Sequence, residues 1–96
     1  MIGSFGCAET EALWAGDASR SRGLPSDIRK VAMRKLAYLD AAIDLRDLRS
    51  PPGNHLEALT GDLAGHHSIR INDQWRIVFR WHDHRPHDVR VIDYHR

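Results

Sequence analysis

The chain has 96 residues, 42% of them hydrophobic and 28% charged, with a formal net charge of +1. That composition fits one small domain over residues 1–96 with a single apolar core, and it excludes a disordered chain. The lone cysteine, Cys7, excludes an internal disulfide, and the lack of an apolar run of about 18 residues excludes a membrane-spanning helix.

Residues 1–14 have neither a basic start nor a long apolar stretch, so no secretory leader is expected and the cytoplasm is the expected location. Charge is distributed unevenly. Residues 1–19 carry Glu9, Glu11 and Asp17 with no Lys or Arg, while residues 20–50 are basic. Beyond residue 50 every cation is Arg, whose planar fork suits phosphate or carboxylate. Surface ion pairs and nucleic-acid contact are both consistent with this pattern. Seven His add charge that varies with pH.

In chain order, Met1 to Phe5 reads as a short strand and Ala8 to Ala15 as a short helix. Gly16 to Pro25 has the composition of a mobile connector. Residues 26–42 show a 3.6-residue period, with Ile28, Val31, Ala32, Leu36, Leu39 and Ile43 on one face. Ser26 is the expected cap. Arg29, Lys30 and Arg34 point away from the apolar stripe and, with Arg20 and Arg22, suit either solvent or phosphate contact. Residues 44–49 add one more turn before Pro51 and Pro52 stop it.

The pattern then turns to β. His55 to Leu59 is a weak strand and His67 to Ile71 alternates. Trp75 to Trp81 puts Trp75, Ile77, Phe79 and Trp81 on one side, and Arg76, Val78 and Arg80 on the other. Val89 to Asp93 is the last strand. Short connections make hairpins of these strands. The expected class is α+β, with the N-terminal strand and two helices packed on one face of an antiparallel sheet. The opposite face would carry Arg70, Arg76 and Arg80 as a positive surface.

Several segments together resemble one family. They are Met-Ile-x-Ser-Phe at 1–5, Ala41 to Arg49, Ser50-Pro-Pro-Gly-Asn54, Leu56 to Asp62, Ser68 to Ile77 with its Asn-Asp-Gln-Trp-Arg block, and the ending Asp93-Tyr94-His95. The chain resembles a HigB-type toxin of the RelE/ParE superfamily along nearly its whole length. The resemblance implies a curved sheet and the toxin half of a type II toxin–antitoxin module. It implies a metal-free, ribosome-dependent endoribonuclease that cuts mRNA in the A site. The implied partner is a HigA-like helix-turn-helix antitoxin, and operator DNA is met only through the toxin–antitoxin complex. A ParE-like gyrase inhibitor, or a weak toxin acting mainly as co-repressor, remain the alternatives.

Metal-free cleavage needs a base for the 2′-hydroxyl, a cation for the developing charge and an acid for the leaving 5′-oxygen. Arg76 is the expected stabiliser of that charge. Arg70 and Arg80 are expected to hold substrate. The resemblance implies that Asp93, Tyr94 and His95 belong to the active site. His95 can act as base or acid, Tyr94 can stack or donate, and Asp93 can orient a neighbour. Some relatives carry His at the position of Glu57 and Lys at that of Thr60. Glu57 is therefore a candidate base, and His55, two residues earlier on the same strand, shares its face, can partly substitute for that His and is expected to bind substrate. This departure implies a mild toxin. His66-His67 and His82-x-His84-x-x-His87 offer ligands by count, yet with no Cys beside them they do not match a closed zinc site. No metal or cofactor is expected, and Cys7 reads as structural.

Overall fold

Two helices lie on one face of a four-stranded antiparallel sheet. The computed structural model describes residues 1–94, so His95 and Arg96 lie outside the described residues. Helix α1 is Ala8–Trp14 and helix α2 is Ser26–Ala41. A 3₁₀ turn at Leu45–Arg49 leads toward strands β1 (Glu57–Ala58), β2 (His67–Arg70), β3 (Trp75–His82) and β4 (Arg85–Asp93). Their spatial order is their chain order, as an antiparallel meander requires.

The expected stripe of α2 is its buried face. Ile28, Ala32, Leu36 and Leu39 pack against Ile69, Ile77, Phe79, Val89 and Val91 in one cluster. Thr10 of α1 fastens this layer, its hydroxyl accepting from the Val91 amide at 2.9 Å. Two details of α2 differ from expectation. Pro25 holds the cap position and Ser26 is already helical, with no side-chain cap. Ala42 turns extended and ends the helix, so Ile43 leaves the stripe and is 75% exposed.

Lys35 also lies on the buried side of α2. Its ammonium donates to the Asn54 side-chain oxygen, and Asn54 in turn donates to the carbonyls of Leu48 at 3.2 Å and Ser50 at 3.4 Å. Burial, with the charges of Arg34 and Arg70 nearby, pushes the Lys35 amine below its ordinary range. The buried amide thus pins the segment entering β1 to the helix layer.

The N-terminal strand is reduced to a single bridge. Phe5 pairs with Val89 in parallel, flanked by Gly3 N to Pro86 O at 2.8 Å, Val89 N to Ser4 O at 3.1 Å and Gly6 N to Val89 O at 2.9 Å. The approach is tightest at Gly6, where a Cβ would sit 2.8 Å from the Asp88 carbonyl oxygen; one on Gly3 would sit 2.5 Å from the His87 side chain, which would have to move aside. The connector before α2 is held down. Ser21 and Leu24 are buried, and the Leu24 carbonyl accepts from Arg29 Nε at 2.8 Å.

Candidate functional site

The register of β2 and β3 builds the open face of the sheet. Arg70 lies across from Arg76, and Ser68 across from Val78. Ser68 is also opposite Glu57 on β1, and Arg76 is opposite Ile92 on β4. Residues directly opposite in an antiparallel pair point to the same side. Glu57, Ser68, Arg70 and Arg76 therefore converge away from the helices.

Arg76 is only 8% exposed, unusual for a guanidinium, and the partners account for it. Nη2 donates to Glu57 Oε1 at 3.0 Å. Nη1 donates to Ser68 Oγ at 2.5 Å and to the His55 carbonyl at 3.5 Å. The Tyr94 ring lies over the guanidinium, 5.6 Å from Cζ to the ring centre. Tyr94 is brought there by its backbone, whose amide donates to the Gln74 carbonyl at 2.6 Å. A guanidinium fixed by such contacts is preorganised and needs little reorganisation when negative charge develops beside it.

The other expected residues divide. Arg70 joins the site beside Arg76, its side chain ion-paired with Asp73. His55 joins it by its carbonyl. The residue adopts the left-handed region, φ 44°, after a short 3₁₀ turn at Pro52–Asn54 rather than lying on a strand. The shared-face argument for His55 and Glu57 thus does not apply. Arg80 sits toward the far end of β3, beyond a bulge between Val78 and Arg80, and pairs with Asp88 at 2.6 Å. That bond holds the Asp88 carboxyl below its ordinary range. Asp93 is across from Trp75, which alternation assigns to the side away from Arg76, and accepts from Gln74 Nε2 at 3.0 Å. His95 lies outside the described residues.

Two residues of this face escaped the sequence reading. Ser68 fastens Arg76, and counting back across the β2–β3 hairpin would have located it. Arg90 lies across from Val78 on the same side. Finding it would have required the register of β4, which the bulge shifts. Among the described residues no three of His, Cys, Asp or Glu converge as metal ligands. No helix of the described residues is long and apolar enough to cross a membrane.

Known proteins are similar to this chain in sequence and in fold. The profile of HigB-like toxins, described as the RelE-like toxin of type II toxin–antitoxin system HigB, matches residues 11–95. Toxin HigB-1 of Vibrio cholerae is 51% identical over 67 residues, 70% of this chain and 70% of that protein. An uncharacterized protein of Haemophilus influenzae is 38% identical over 66 residues, 69% of this chain and 65% of that protein. The fold resembles that in the YoeB–YefM complex from Staphylococcus aureus, with a TM-score of 0.60 at 19% identity, covering 100% of this chain and 99% of that one. With a profile that spans most of its length and a toxin identical at half the aligned positions, the chain belongs to the HigB-like toxins of type II toxin–antitoxin systems, built on the RelE-like fold.

Proposed function

We propose that the protein is a ribosome-dependent endoribonuclease that cleaves mRNA in the A site without a metal, acting as one domain over residues 1–96. The observation that carries this reading is the buried Arg76 guanidinium held against Glu57 and Tyr94 on the open face. The 2′-oxygen attacks phosphorus, the bond from phosphorus to the 5′-oxygen breaks, and a 2′,3′-cyclic phosphate and a 5′-hydroxyl result. Glu57 takes the 2′-hydroxyl proton. Arg76 stabilises the charge on the phosphoryl oxygens, with Arg70 beside it and Arg80 further along holding the message. The acid that protonates the 5′-oxygen comes from the Asp93-Tyr94-His95 ending, with Tyr94 nearest Arg76 and able to stack on a base. The His55 carbonyl steadies Arg76.

The reading carries partners with it. A HigA-like helix-turn-helix antitoxin neutralises the toxin in the cytoplasm, and operator DNA is bound only through that complex. The family assignment and the complexed state of the similar fold support this. The test is 5′-end mapping of a message in cell-free translation, with and without ribosomes, comparing wild type, Arg76→Ala and a chain ending before Asp93. Cuts at the A-site codon only with ribosomes, lost in both variants, are expected. Arrested growth without cleavage would overturn the reading and direct attention to DNA gyrase.

A further inference from the structure

A second recess opens on the same face of the sheet, and the mechanism above does not use it. It encloses about 240 Å³ and is lined by Gly6, His66, Asp88 and Arg90. Its charge is unbalanced. Asp88 is already engaged, its carboxylate accepting from Arg80 at 2.6 Å and its amide donating to Ser4 Oγ at 2.8 Å. Arg90 makes no ion pair with any described residue. The buried Nδ1 of His66 has no hydrogen-bond partner among them. Gly6 forms one wall with no room for a side chain, because a Cβ there would sit 2.8 Å from the Asp88 carbonyl oxygen and 3.3 Å from Arg90 Cδ.

Arg90 is opposite Val78, two residues along β3 from Arg76 and one strand over. Sheet geometry makes that offset about 8 Å between Cα positions. Neighbouring phosphates of an extended RNA strand are separated by a comparable step. We propose that this recess seats the phosphate next to the scissile one, with Arg90 gripping its oxygens and His66 completing the seat. Arg90 is thus a substrate-positioning residue. The inference rests on the nuclease reading and adds a second anchor point, which fixes the direction in which the message crosses the sheet.

The probe is a short message carrying one uncharged methylphosphonate linkage beside the cleavage point, on either side, in the A site of programmed ribosomes. A neutral linkage on one side should slow wild-type cleavage about tenfold, the value of a lost charge-assisted contact. Arg90→Gln should slow cleavage of the unmodified message to the same extent. Combining the two should cost nothing further. An Arg90→Gln protein as active as wild type, or losses that multiply, would overturn the proposal. Multiplying losses with equally weakened binding to vacant ribosomes would assign Arg90 to ribosomal RNA instead. Should Arg90→Gln not fold, the wild-type response decides alone, and indifference to the neutral linkage on both sides overturns the seat. If wild type cleaves no message, the nuclease reading fails separately. Fluorescence anisotropy with non-cleavable 2′-O-methyl RNA, natural or bearing one neutral linkage, then judges the recess by the same rule of non-multiplying losses.

Discussion

On one side of β3, Ile77 and Phe79 are fully buried among apolar side chains; on the other, Arg76 is nearly as inaccessible but surrounded by oxygen atoms. The same period-two alternation produces both faces. The apolar side is held by shape and area, so its cost of disruption is a cost in stability. The polar side is held by matched donors and acceptors around a charge, and loss of one partner strands another. Stability and activity should therefore separate when the two faces are perturbed in turn.

The largest effect is expected from Phe79→Ala, which should lower unfolding free energy by about 3–5 kcal/mol in a urea titration. Arg76→Lys tests the other face: it keeps the charge and loses the planar fork. It should reduce cleavage by roughly 10²–10³-fold in a programmed-ribosome assay while the protein stays folded by circular dichroism. Glu57→Gln sharpens the contrast. The ion pair is partly open to water, so stability should change by about 1 kcal/mol or less. Cleavage should fall by about 10²-fold with loss of the proposed base. Equal activity in Glu57→Gln would move the base to the Asp93-Tyr94-His95 ending.

The smallest effect concerns His67, which pairs across from Phe79 and stacks on it with ring centres 6.2 Å apart. Burial holds its imidazole below the ordinary value of about 6.5. The unfolded chain then binds a proton at a higher pH than the folded one does. Its contribution to stability is intact above about pH 6.5 and is lost as pH falls toward the folded value. Thermal melts between pH 7.5 and 5 should show His67→Leu losing less Tm on acidification than wild type. A parallel pH response in both proteins would remove His67 from the account.

The apolar face was largely legible in the sequence. The spacing of Ile28, Ala32, Leu36 and Leu39 identified the buried side of α2, and the alternation through Ile77 and Phe79 that of β3. Arg70, Arg76 and Arg80 follow from the same count, whereas Arg90 depends on the register of β4. What stayed hidden depends on backbone geometry that periodicity does not carry. Ile43 continues the helical spacing, but Ala42 has already left the helix. His55 two residues before Glu57 looks co-facial until its left-handed backbone turns the segment. Asp93 and Tyr94 are adjacent in the motif, yet alternation puts them on opposite sides of β4, and the Tyr94 ring lies over Arg76. Val78 shares the polar side with Arg76 and is nevertheless fully buried, which no reading of its neighbours as charged would suggest.

The bridge between Phe5 and Val89 has a consequence for how the molecule is made. It joins residues separated by most of the chain, so closing that contact costs loop entropy before any pairing returns it. Contacts of such span slow folding relative to local helical ones. During synthesis, residues 3–6 must wait for residues 86–89 to emerge before β4 gains its outer neighbour. Tyr94 arrives later still. The helices can form early, but the face that bears Arg76 gains the Tyr94 ring over its guanidinium only after the four strands before it have been made.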